Sequence, residues 1–294
     1  MRHLASWLVA RPRNGVLALA ATLLLPFAQV VSGAVVGVLV FKHGAALAAL
    51  QAGIAAVGLT LISLVVNASV SQLLANAVLT WLPIVVLAAA VRGWRSLTLA
   101  LQITAIVALL AILGFYAVLG DPTGYWSEML VRISESFRGL GLERHADVLY
   151  EQRELLAPQM TVLVVLTAWS LYASVLLLGY AVYRTLPGVS DAFGLFRNLN
   201  LGRVLALTMA VTSVVALLTG SVWLEDFAFV AFAVFWLQGL AIVHWLHAGG
   251  RLPLFLVLVV YALIPLLNAL MVMALAVVGY IDAWFDFRAR RATQ

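Results

Sequence analysis

Few residues in this sequence could carry chemistry, and their spacing limits what that chemistry is. His244 and His247 are three apart, which puts both imidazoles on one helix face at a spacing suited to a metal ion. No carboxylate or third ligand stands beside them, so they read as interfacial histidines and no metal site is assigned. Asp282 and Asp286, four apart beside Trp284 and Phe285, resemble the paired carboxylates of acid–base catalysis. Arg288 and Arg290 lie close enough to neutralise them, which makes this stretch an interfacial helix end. With 0 cysteines, thiol catalysis, disulfides and iron–sulfur clusters are excluded. No Gly-rich loop ends in Gly-Lys-Ser or Gly-Lys-Thr, so ATP is not bound in that manner. No acid, base and metal set converges, and the chain is read as a non-enzyme with no cofactor and no catalytic residue.

What remains is neutral and polar: Gln29, Gln51, Asn67, Gln72, Asn76, Gln102, Tyr116, Tyr172, Gln238 and Asn268. In lipid such groups need partners, either on neighbouring helices or on a ligand in a cavity. Asn67, Gln72, Asn76 and Trp81 fall together near the outer ends of two adjacent helices, and this set is the candidate ligand-binding site.

The elements that must position these residues are set by composition. Across 294 residues, 65% of side chains are apolar and 10% charged, more apolar surface than one water-soluble core could hide. Uncharged stretches follow one another from Arg13 to Lys42, Lys42 to Arg92, Arg95 to Asp121, Glu154 to Arg184, Arg203 to Glu225, Asp226 to Arg251 and Arg251 to Asp282. A bilayer core about 30 Å thick takes roughly 20 apolar residues per helix, and no two-residue alternation favours a barrel. The fold class is therefore all-α, a polytopic membrane bundle of about eight or nine helical segments. Spans are expected near 45–66, 72–91, 96–119, 159–183, 204–223 and 227–248, with a last helical region over 253–284. Pro26, Gln29, Ser32 and Gly33 divide the first apolar stretch into short helices near 15–27 and 30–41, or kink a single helix. No Asp, Glu, Lys or Arg is expected inside these spans, which argues against an ion-driven pump. Gly33 with Gly37, and Ala49 with Gly53, are small-residue pairs for close helix packing.

The net charge of +5 is not a nucleic-acid footprint, because basic residues stand singly at the ends of apolar runs. They are a topology signal. With two short helices at the start, which reads as a retained first span and not a cleaved leader, Arg2, Arg11, Arg13, Lys42, Arg92, Arg95, Arg184, Arg197, Arg203 and Arg251 fall on the cytoplasmic side, opposed there only by Asp191. A single first helix would send Arg92, Arg95, Arg184, Arg197 and Arg203 outside, so the two-helix reading is favoured and the N-terminus is placed in the cytoplasm. The basic tail Arg288, Arg290 and Arg291 then lies outside, or inside if the last region breaks and returns at Pro265.

The chain is expected to be one membrane domain, 1–294, with an extracytoplasmic amphipathic helical insertion at 120–158. In it Trp126, Met129, Ile133, Phe137 and Leu140 recur at helical spacing, among Glu128, Arg132, Glu135 and Arg138. Gly139 and Gly141 interrupt before a second helix over 143–156, so the segment reads as a hairpin, either a lid over the outer mouth or a solvated connector.

Several stretches carry a family resemblance. Pro26 through Ser32-Gly33-Ala34 to Phe41-Lys42-His43-Gly44, and the closing Gly279-Tyr280-Ile281-Asp282-Ala283-Trp284-Phe285-Asp286-Phe287-Arg288, resemble the YybS-like family of bacterial membrane proteins. The acidic insertion before 159–183 and Phe196-Arg197 are similar too. The resemblance implies a core like the S components of energy-coupling-factor transporters, here with extra helices after residue 203. It also implies a bacterial inner-membrane location and capture of a small solute, with a separate membrane subunit and ATPases supplying energy. A non-catalytic scaffold in envelope assembly or division is the competing expectation. The first span lacks a clear pair of alanines four apart of the kind S components use for docking, so no binding residue is carried over.

Overall fold

A computed structural model describes residues 2–189, 192–267 and 269–288. Among the described residues there are helices and turns and no strand: α1 (Arg2–Ala10), α2 (Pro12–Leu23), α3 (Ala28–His43), α4 (Ala45–Val65), α5 (Val70–Trp94), α6 (Leu97–Leu119), α7 (Pro122–Gly139), α8 (Glu143–Glu151), α9 (Arg153–Leu156), α10 (Met160–Tyr183), α11 (Arg203–Thr219), α12 (Val222–Ala233), α13 (Trp236–Ala248), α14 (Leu254–Leu267) and α15 (Ala269–Phe285). Five helices are long and apolar enough to cross a membrane: α4, α5, α6, the run 153–183 and the run 222–248. Their outward faces are as greasy as their inward ones; Val65 on α4 and Val118 on α6 are each 83% exposed. Such surfaces are stable only against hydrocarbon, and the protein is an all-α integral membrane protein.

The chain divides into two compact units, residues 1–101 with 170–198, and residues 102–169 with 199–294. In the first, the opening apolar stretch forms two helices. Pro26 cannot donate to a helix, and Phe27 takes a left-handed φ of 60° that ends one helix before Ala28 begins the next. At 16 residues α3 is roughly 24 Å long, short of a bilayer core. It is the buried centre of its unit: Val36, Val38, Leu39, Val40 and Phe41 are all covered. Its small residues explain how. A Cβ on Gly179 of α10 would lie 3.0 Å from the Ala34 carbonyl oxygen, and one on Gly33 would lie 2.7 Å from Val175. The Ala49–Gly53 pair on α4 does not repeat this, because both residues face outward and a Cβ on Gly53 would meet nothing within 4 Å. The buried stripe of α4 is one step round the helix, through Ala48, Gln51, Ala52, Ala55 and Leu59.

Pro83 inside α5 leaves the Leu79 carbonyl without its helical donor, and Tyr172 Oη–H fills the gap at 2.8 Å. That pairing assigns a structural task to one of the neutral polar residues.

In the second unit α7 starts on an Asp121 cap whose carboxylate accepts from Thr123 N–H at 2.9 Å. It buries Trp126, Leu130 and Ser134, and Trp126 Nε1–H donates to Thr161 Oγ1 at 2.8 Å. Leu140 is exposed at the turn into α8, where Gly141 has φ 77°. At the crossing of α13 and α15 the glycines Gly239 and Gly279 press on the opposite backbone, at the Leu275 and Phe235 carbonyl oxygens respectively. A side chain at either glycine would drive the helices apart. Around Val234 and Phe235 the hydrogen bonds shorten to i→i−3, a tightened turn between α12 and α13.

Candidate functional site

Of the four expected site residues, Asn67, Gln72 and Asn76 lie toward one end of the first unit, whereas Trp81 stands near the middle of α5, and the set falls in two environments. Trp81 is buried; its Nε1–H donates to Ser32 Oγ at 2.8 Å, and Ser32 donates to the Leu19 carbonyl at 3.4 Å. Asn76, one turn before it on α5, accepts through Oδ1 from Gln29 Nε2 and from Thr80 Oγ1, both at 3.3 Å. Among the described residues no partner takes the Asn76 amide hydrogens or the Gln29 carbonyl oxygen. Two neighbouring amides thus offer a donor and an acceptor where the charge-free turns of the unit meet.

Gln72 and Asn67 stand further out. The Gln72 side chain is exposed, and its backbone N–H meets the capping Ser69 Oγ at 3.4 Å. Asn67 has φ 54°, the left-handed residue that closes α4, with Ala68 N–H returning to the Ser63 carbonyl at 2.9 Å. Its residue type is accounted for by that turn. Gln29 and Ser32 belong with Asn76 and Trp81 but lie 47 and 49 residues away in sequence, a pairing that only the α3–α5 packing reveals.

The second unit holds a polar cluster of the opposite character. Asp282 and Gln238 are both 0% exposed. Gln238 Oε1 accepts from Leu201 N–H at 2.7 Å and its Nε2 donates to Asp282 Oδ2 at 2.8 Å. Arg288 donates to the same oxygen at 2.7 Å and to the Leu199 carbonyl at 2.7 Å. Asp282 Oδ1 is buried with no hydrogen-bond partner among the described residues. Pairing of Asp282 with Arg288 follows the sequence reading, whereas its depth does not: the carboxylate sits inside α15, and the Gly239–Gly279 crossing brings Gln238 to it. Arg290 and Asn268 lie outside the described residues.

Two further carboxylates, Glu225 and Asp226, fall within an apolar helix. The turn between α11 and α12 is shorter than the sequence suggests, so α12 begins at Val222 and Asp226 lies a turn inside it, accepting from Tyr116 Oη–H at 2.7 Å. This corrects the expectation that span interiors are free of carboxylates. His244 and His247 each have a partner of their own, the first with Tyr261 Oη at 2.8 Å and the second with the Leu252 carbonyl at 2.9 Å. Gln102 Nε2–H donates to the Asn200 carbonyl at 2.9 Å and Gln51 Nε2–H to the Pro12 carbonyl at 3.0 Å, both ties between chain segments. Comparison with known proteins adds no neighbour to this geometry: no family model, no curated protein and no solved structure matches the chain.

Proposed function

We propose that this protein is a non-catalytic, substrate-binding membrane subunit that captures a small neutral or weakly polar solute at the end of the first unit marked by Gln29, Asn67, Gln72, Asn76 and Trp81. The observation that carries the reading is the Gln29–Asn76 amide pair, which keeps one donor and one acceptor uncommitted beside a buried indole. Amides without a nearby charge suit a neutral ligand, since a charged one would be desolvated without compensation. The resemblance to YybS-like proteins, and through them to S components, supports the same reading. It adds a bacterial inner membrane and a separate energising subunit with ATPases, while the distribution of Lys and Arg favours an N-terminus in the cytoplasm.

Affinity purification in mild detergent, with mass spectrometry of copurifying proteins and small molecules, tests the proposal. A retained polar metabolite that disappears in the double variant Q29L/N76L supports it. Failure to retain any metabolite, with no ATPase module copurifying, contradicts it.

A scaffold in envelope assembly or division is the second reading, favoured by the internal partners that Trp81 and Thr80 already have. Stable protein partners that survive Q29L/N76L, with no solute retained, would select it.

A further inference from the structure

Charge is divided unevenly between the two units. The residue ranges of the first unit hold a single acidic residue, Asp191, which lies outside the described residues, while every other Asp and Glu belongs to the second. Its basic residues are gathered at one end. The Gln51 side chain reaches the Pro12 carbonyl at 3.0 Å, which sets Arg11 and Arg13 beside the start of α4. Arg92 donates to the Phe41 carbonyl at 2.7 Å, next to Lys42. Leu97 N–H donates to the Phe193 carbonyl at 2.8 Å, holding Arg95 at the same end.

On this end lies α1, a helix that the apolar pattern did not announce. It buries Ala5 and Leu8, and Asn14 Nδ2–H donates to the Trp7 carbonyl at 2.6 Å. Beside that buried stripe Leu4 is 72% and Trp7 49% exposed, bracketed by the exposed Arg2, Arg11 and Arg13.

We infer that α1 is an interfacial anchor, with Leu4 and Trp7 seated among acyl chains and Arg2, Arg11 and Arg13 holding the phosphates of anionic phospholipid. Tryptophan and arginine at this depth each find their preferred medium, apolar body below and headgroup above. Basic residues beside an anionic leaflet add affinity per residue, and the first unit supplies no described carboxylate to cancel them. A nucleic acid or an acidic soluble protein would satisfy the cations but leave Leu4 and Trp7 in water. This anchoring is independent of any solute at the opposite, charge-free end.

The chain has 0 cysteines, so L4C provides a unique thiol for an environment-sensitive fluorophore. The full-length labelled protein is reconstituted in nanodiscs of phosphatidylcholine with or without phosphatidylglycerol, and quenching by brominated acyl chains is read. The expected result is a blue-shifted, quenchable probe whose burial deepens with phosphatidylglycerol. R11Q/R13Q should weaken the phosphatidylglycerol dependence by on the order of tenfold. W7Q should reduce quenching while leaving the helical circular dichroism intact. A probe in a water-like environment in both lipids would overturn the inference, as would burial indifferent to phosphatidylglycerol and to R11Q/R13Q. Shielding seen only when a second protein is present would do the same.

Discussion

The two units bury polarity in different ways. The first uses neutral groups: indole to hydroxyl at Trp81–Ser32, phenol to a proline-freed carbonyl at Tyr172–Leu79, amide to amide at Gln29–Asn76. Its cations are kept at one end. The second buries an ion pair, Asp282–Arg288, with Gln238 bridging it to Leu201. The difference shows what a charge needs in order to lie inside such a bundle. A neutral group needs one partner and tolerates a poor one, whereas the carboxylate is served by a guanidinium, an amide and a glycine crossing tight enough to bring them together.

Breaking the ion pair is the most severe test of that contrast. D282L leaves Arg288 in a mostly buried site and should lower stability by about 3–5 kcal/mol, read as the unfolding free energy of the purified protein in detergent. The double variant D282L/R288M should recover most of the loss, because an apolar pair of similar size removes both desolvation costs. If the double variant is no more stable than the single, the pair is not the source of the effect.

Glycines sharpen the comparison next. G239A or G279A pushes a methyl onto backbone and should cost about 1–3 kcal/mol or more. G53A in the first unit meets open space and should gain roughly 0.5–1 kcal/mol from helix propensity alone. Thermal unfolding of the three variants side by side gives the signs.

Neutral partners come third. W81F and Y172F each remove one hydrogen bond and should each cost about 1 kcal/mol, well below D282L. An equal loss at all three positions would erase the distinction between the units.

The smallest effect concerns acid. Hydrogen bonds from Thr123, its side chain first and its backbone N–H second, hold the Asp121 carboxyl below the ordinary carboxylate range. A depressed folded value means that this cap supports α7 fully above the unfolded value and loses that support as pH falls through the folded one. Protection factors against hydrogen exchange in the first turn of α7, taken relative to the intrinsic rate at each pH, should therefore fall in acid below the ordinary carboxylate range, and D121A should show the low protection at neutral pH as well.

Much of the fold was legible because hydrophobic run length and charge placement are local. The spans expected at 45–66, 96–119 and 159–183 differ from α4, α6 and α10 by a residue at most at either end. Helix ends set by backbone conformation, such as Phe27 and Asn67, were legible only as polar or Pro-rich interruptions. α1 was not legible: nine residues are too few for periodicity to stand out, and its face is defined by what it packs on. Of the candidate site, the α5 residues share a helix and could be grouped by spacing, whereas Gln29 and Ser32 join them through tertiary packing. The buried cluster was hidden for the same reason, although one trace of it is visible: Gln238 adjoins Gly239, and Asp282 follows Gly279 by three residues.

The account rests on α5 carrying a charge-free end and a basic end to opposite faces of a bilayer, with the charge-free end outside. Single cysteines at Gln72 and Arg95, treated in intact cells with a membrane-impermeant maleimide, test this directly. Labelling of Q72C from outside, with R95C reactive only after the membrane is opened, is the expected result. External labelling of R95C with Q72C protected, or of both positions alike, would contradict it.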